Sequence, residues 1–312
     1  MILIFLLYAL LALTFTIGKM LLFYVPPIFL IALRMCIAGV LLLGMNHFIS
    51  GPAKIKKFSD RSIADRSIAD RSIADLWIFV LLSLIHVLIP YTTEFIALQS
   101  VAPSCAALMF NLSPFFSALF SYIYFDEKMT KKKWLGFAIG MGGIVFFLEP
   151  AAFSFTCWHI NGTAYILLFI AVVSSALGWI YVRMLVKDKG YSPLFVNGCA
   201  MLLGGIQAIP VSLYFEGSVS LPWDNLKPFL LLLAAIILLA NVIFYNLYGY
   251  LLKHYSATLL SFIGFVTPVF AALFDWMLLG VGVSYGFFIA IAILGFGIYI
   301  FYQEELRQGY VQ

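Results

Sequence analysis

Charge is what this sequence lacks most. Only 10% of its 312 residues are charged while 64% are apolar, against roughly 25% charged in a soluble domain. A globular fold of this size has too little interior to hide so many apolar side chains. A soluble protein is therefore excluded, and the medium against most of the surface is lipid. Cysteine is scarce too. Cys36, Cys105, Cys157 and Cys199 show no paired spacing, which excludes a disulfide framework or a zinc site and leaves small buried apolar groups. The four histidines, at 47, 86, 159 and 254, are dispersed, and no acid pair shares one apolar run. A membrane-embedded enzyme lacks the clustered chemistry it would need. No phosphate-cradling glycine-rich loop with a following lysine occurs, so ATP is not the direct energy source, and no cofactor or metal is expected. Basic residues are confined to short segments between apolar runs, which argues against nucleic acid as a partner despite the net charge of +4.

What the chain does have is apolar runs. A bilayer core takes roughly 17–25 apolar residues per helix, and such runs occupy 2–20, 27–49, 76–97, 101–125, 134–149, 163–185, 193–215, 228–251, 256–279 and 285–302. The fourth follows the third closely, predicting a tight helical hairpin. With the N-terminus inside, the cytoplasmic connections and tail hold fifteen Lys and Arg against two, Lys19 and Lys227, on the outer side. That asymmetry predicts both termini in the cytoplasm, with the bacterial inner membrane as the compartment. The first run has no basic segment before it and no small-residue cleavage site after it, so it reads as a retained span. The sequon Asn161-Gly162-Thr163 falls on the outer side. Residues 61–65, 66–70 and 71–75 are three copies of Arg-Ser-Ile-Ala-Asp. Each unit carries one charge of each sign and reads as a solvated cytoplasmic insertion, or as a short helix with i,i+4 pairs such as Arg61 with Asp65.

The two halves resemble each other. A shift of 154 residues aligns Tyr91 with Tyr245, Ser113-Pro114 with Thr267-Pro268, and Gly143 with Gly297. Nearer the start of each half, a shift of 166 aligns Pro27-Ile28-Phe29 with Pro193-Leu194-Phe195, Met35 with Met201, and Gly39 with Gly205. Five spans per half is an odd number, so the second half would be inverted. Such halves can exchange roles and expose a central site to each side in turn. The expected fold is an all-α membrane protein of ten transmembrane helices in two inverted five-helix repeats, at 1–150 and 158–303.

The stretch Phe125-Asp126-Glu127-Lys128-Met129-Thr130, with Trp134-Leu135-Gly136 and Gly140-Met141-Gly142-Gly143, resembles the end of an EamA domain, the repeat unit of the drug/metabolite transporter superfamily. Lys19, Pro27 and Arg34 resemble the start of that unit, and Asn111-Leu112-Ser113-Pro114 its fourth helix. The resemblance covers the chain apart from the tandem insertion. It implies ten helices, cytoplasmic termini, and export or exchange of small metabolites. Two positions depart from it: Ala200 stands where the second repeat would match Arg34, and Val281 follows Gly280 where an acid is expected.

Ionisable groups are costly inside a bilayer and mark pathways or partners. Arg34 suits a substrate carboxylate or a buried structural pair. Glu94 and Asp275, at comparable depth in the third and ninth runs, suit a proton or a substrate amine, or sit as solvated interface acids. His86 is either a proton relay or a hydrogen-bonded tie between helices. Asn111 and Asn241, with Asn197 and Asn246, can bond substrate or join helices. Tyr91 and Tyr245, matched by the repeat, are candidates to line one cavity, and Pro114 and Pro268 to act as hinges. Gly136 and Gly140 offer a close-packing face for another helix, from this chain or from a second copy in a homodimer. A secondary transporter of a small solute such as an amino acid accounts for this pattern best. A channel or a membrane-embedded enzyme is the alternative.

Overall fold

A computed structural model describes residues 2–50, 76–101, 106, 109–147, 162–267, 269–270 and 285–310. The tandem insertion, the sequon asparagine, Pro268 and Asp275 lie outside these residues. The described residues form helices joined by short turns, without strands. The helices are α1 Ile2–Leu21, α2 Pro27–Ser50, α3 Leu76–Leu98, α4 Ser113–Phe125, α5 Lys131–Phe147, α6 Gly162–Asp188, α7 Pro193–Phe215, α8 Trp223–Leu251, α9 Ala257–Val266 and α10 Tyr285–Gln308. Six of them (α1, α2, α3, α6, α7 and α8) are long and apolar enough to cross a membrane. Exposed Phe23, Phe48, Trp77, Ile123, Leu213 and Leu231 are at least 60% accessible, a surface suited to lipid and not to water.

The helix ends follow from local sequence. Ser192 accepts a hydrogen bond from the Phe195 N–H at 3.1 Å, and Pro193 fills the first turn of α7, where no partner for an N–H exists anyway. Ser256 caps α9 in the same way through the Leu259 N–H at 3.0 Å. The start of α2 is capped from elsewhere in the chain. Both carboxylate oxygens of Glu216, just beyond α7, accept from the Ile28 and Phe29 N–H groups at 2.8 Å, where a helix N-terminus favours negative charge. At the C-terminal end of α3, the Lys19 ammonium donates to the carbonyls of Leu98, Gln99 and Val101.

Packing pairs helices far apart in sequence: α2 with α7, α5 with α10, α4 with α9, α1 with α8, and α3 with α6. The α2–α7 crossing is close because of two glycines. A Cβ on Gly39 would lie 2.5 Å from the Leu202 backbone nitrogen, and one on Gly205 would lie 2.6 Å from that of Cys36. Moved along by 166, Gly39 and Cys36 become Gly205 and Leu202, so the same contact is made twice. We expect Gly39→Ala and Gly205→Ala each to destabilise the protein by about 1–3 kcal/mol through overpacking. Gly44→Ala, facing open space, should stay within about 0.5 kcal/mol. Melting of the purified protein in detergent measures all three.

The glycines of α5 are also used inside the chain. A Cβ on Gly136 would lie 2.8 Å from the Gly297 carbonyl oxygen, and one on Gly140 would meet the Phe262 ring at 2.7 Å. The close-packing face expected from Gly136 and Gly140 is therefore filled by α10 and α9, and it does not supply a homodimer contact.

Candidate functional site

Two helices meeting at the centre are widened at matched places. In α3, residues Leu84–Leu88 form a π-helical segment, and the Ile89 N–H reaches back five residues to the Leu84 carbonyl. Pro90 explains it: proline has no N–H for the His86 carbonyl and its ring crowds that turn. In α8, Ile237–Phe244 is π-helical. Here the side chain of Asn246 takes up freed carbonyls, donating to Asn241 at 3.1 Å and Val242 at 2.8 Å. Asn246 is thus a backbone brace, and Asn197 joins it at 3.2 Å and the Tyr245 carbonyl at 3.0 Å. Shifting 84–88 by 154 gives 238–242, inside the second segment.

Two further helices are broken at matched places. Before α4 the chain turns at Asn111 and Leu112, with three-residue hydrogen bonds from Leu112 N to Met109 O and from Phe115 N to Leu112 O. In α9 the corresponding residues, Gly264–Val266, tighten into a 3-10 turn. Pro114 therefore sits in the first turn of a new helix and not within a continuous one.

Residues in and beside these irregular segments line one cavity, among them Pro90, Asn111, Ala240, Phe244 and Gly264. Arg34, Tyr91, Glu94, Asn111 and Tyr245 line it, drawing together five of the residues singled out from sequence. Tyr91 and Glu94 share a face of α3, three residues apart. Arg34 is 2% exposed; its Nε donates to Asn241 Oδ1 at 2.8 Å, and its guanidinium lies 5.0 Å from the centre of the Tyr91 ring. Asn241 thus stands behind Arg34 and not on the wall. No ion pair joins Arg34 to Glu94 among the described residues, so the cavity wall carries an unjoined cation and acid.

Sequence reasoning found Tyr91 and Tyr245 on the aromatic side of the cavity but missed Trp179, Tyr248 and Tyr8. Trp179 stacks on Tyr248 at 3.9 Å and lies tilted against Tyr245 at 4.9 Å, and Tyr245 stacks on Tyr91 at 6.2 Å. Tyr8 completes the wall, its hydroxyl donating to the Leu260 carbonyl at 2.6 Å. With 17% aromatic residues in the chain, composition could not single these out. His86 is not on the wall. It is fully buried behind Trp179 at 4.5 Å and lies against Gly178, where a Cβ would come within 2.3 Å of its Nδ1. Neither ring nitrogen has a hydrogen-bond partner among the described residues.

The chain resembles known proteins along most of its length. The model of the EamA-like transporter family matches residues 1–148 and 162–303. The chain belongs to this family. It is therefore a multi-pass membrane transporter and not an enzyme. A protein of Chlamydia muridarum named S-adenosylmethionine/S-adenosylhomocysteine transporter is 31% identical over 96% of this chain and 90% of its own length. A protein of the same name from Chlamydia trachomatis serovar D is also 31% identical, over 96% of this chain and 87% of its own. The uncharacterized inner membrane transporter YedA of Escherichia coli K12 is 28% identical over 65% of each chain. One solved crystal structure superposes with a TM-score of 0.67 at 19% identity, covering 96% of this chain and 95% of that one, a likeness of fold.

Proposed function

We propose that this chain exchanges S-adenosylmethionine for S-adenosylhomocysteine across the inner membrane, by alternating access to the central cavity. The observation that carries the reading is the wall itself, which sets Arg34 and Glu94 beside the Trp179–Tyr248–Tyr245 stack. The substrate has the complementary parts. A carboxylate suits a guanidinium, an ammonium suits a carboxylate, and the flat adenine and the sulfonium cation suit aromatic faces. The relatives' names agree with this chemistry. An amino-acid head group is retained from the sequence expectation, now joined to a large flat cation. Exchange also needs no ATP, since one solute's gradient drives the other.

Alternating access is supported by the helix pairing. Exchanging each helix for the one five places along turns the α1–α8 contact into the α6–α3 contact and leaves α2–α7, α4–α9 and α5–α10 unchanged. The matched π segments and breaks follow the same rule. Two inverted five-helix repeats account for this, and an even number of spans with the fifteen-to-two basic count supports both termini being cytoplasmic. The test is uptake of radiolabelled S-adenosylmethionine by cells expressing the gene. Accumulation above the empty-vector control, chased out by external S-adenosylhomocysteine, is expected; equality with the control rejects the reading.

Glu94 faces the ammonium that both solutes carry, but its charge also attracts the sulfonium that only S-adenosylmethionine has. Glu94→Gln is expected to reduce S-adenosylmethionine transport about tenfold and S-adenosylhomocysteine transport less. Competition between the two solutes measures the ratio. An unchanged ratio with normal rates removes Glu94 from the pathway.

A further inference from the structure

Arg34 and Asn241 form a couple that the other half of the molecule lacks in both members. A shift of 166 takes Arg34 to Ala200, and a shift of −154 takes Asn241 to Val87. The helices bearing Ala200 and Val87, α7 and α3, do pack together at the corresponding place. A Cβ on Gly204 there would lie 2.6 Å from Val87 Cγ1. One contact of the pseudo-symmetric pair is thus polar and buried, and its mate is apolar. An arginine without its asparagine, or an asparagine without its arginine, would leave a buried polar group unsatisfied. In this chain one half carries both residues and the other carries neither.

The geometry around Asn241 fixes which way its amide faces. Its Nδ2 lies 3.4 Å from both Met35 Sδ and Met201 Sδ, which are themselves equivalent positions under the shift of 166. Arginine Nε is a donor only, so the group meeting it must be the amide oxygen. Held at Nε by Asn241 and lying over Tyr91, the guanidinium has its plane set from behind.

We propose that Asn241 is a positioning residue that presents Arg34 as a single, one-sided carboxylate anchor, so that substrate enters the cavity in one orientation, with its carboxylate on the α2–α8 side. This deepens the reading above and rests on it for the identity of the solute. Apolar packing at Ala200 and Val87 provides no second anchor at the mirrored place. A head-to-tail reversed substrate would find no buried cation for its carboxylate there.

The test compares S-adenosylmethionine with its decarboxylated analogue, which keeps the sulfonium, the adenine and an amine. In purified, reconstituted protein, Asn241→Ala is expected to raise KM for S-adenosylmethionine about tenfold while leaving KM for the analogue unchanged, so the preference for the carboxylate collapses. Arg34→Lys reads the same point without altering α8, because it keeps the charge and loses the fixed fork; it should lose the preference too. Asn246→Ala, which removes a helix brace, should lower thermal stability and keep the preference. Wild-type preference in both Asn241→Ala and Arg34→Lys overturns the inference. So does a wild-type protein that ignores the carboxylate in a competition panel of these two compounds, methionine and its decarboxylated amine. If methionine competes through a preference that Asn241→Ala abolishes while S-adenosylmethionine is not transported, the anchor stands and the substrate reading falls.

Discussion

Arg183→Met is expected to destabilise the protein by about 3–5 kcal/mol, the cost of leaving a buried charge without its partner. Arg183 of α6 forms an ion pair with Glu127, in the connection between α4 and α5, and the two side chains are 7% and 5% exposed. The guanidinium also lies 4.1 Å from the centre of the Phe125 ring. The pair ties α6 to the turn where Asp126 adopts a left-handed backbone, φ 52°. Glu127→Gln should cost a comparable amount by stranding Arg183. The double variant should recover most of the loss, because neither charge is then left unpaired. Melting temperatures of the four proteins in one detergent measure the coupling. Additive losses in the double variant would show that the two residues act separately.

The second large effect falls on transport. Arg34→Gln is expected to lower kcat/KM for S-adenosylmethionine roughly 10- to 150-fold, the range of about 1.5–3 kcal/mol for a hydrogen bond to a charged group. Glutamine preserves much of the volume and can still bond Asn241, so insertion and melting temperature should change little. Initial rates of labelled uptake in reconstituted vesicles, normalised to the amount of inserted protein, measure it. A normal rate would place the substrate carboxylate elsewhere and remove the observation on which the orientation argument depends.

Much of the fold was legible because a bilayer demands long apolar runs and leaves little freedom in how they begin. The seventh run, 193–215, agrees with α7 at both ends, since Ser192 and Pro193 mark its start. The tenth run was read too short. Helix α10 continues to Gln308, because Glu304 and Glu305, polar in sequence, are 4% and 0% exposed. Glu305 pairs with Lys133, a lysine that reads in sequence as one of the solvated cytoplasmic charges. Pairing across 172 residues of chain leaves no local signature. The repeat offsets matched Tyr91 with Tyr245, which do meet at the cavity, and Gly39 with Gly205, but not that those glycines would each admit the opposite helix, at Leu202 and Cys36. The π segments were hidden for a different reason. In α3 Pro90 is a visible cause, while in α8 the compensating group is Asn246, whose side chain turns back on its own helix. Beyond Tyr91 and Tyr245 the aromatic wall was invisible because aromatic residues are everywhere in this chain, and only the fold selects Trp179 and Tyr248 from among them.

Counterflow tests the central claim most directly. Purified protein is reconstituted into vesicles preloaded with S-adenosylhomocysteine, and uptake of external radiolabelled S-adenosylmethionine is followed without ATP. The account predicts transient accumulation well above that in unloaded vesicles, with the stimulation greatly reduced in Arg34→Gln. Equal uptake in loaded and unloaded vesicles, or uptake no greater than in protein-free vesicles, would contradict it.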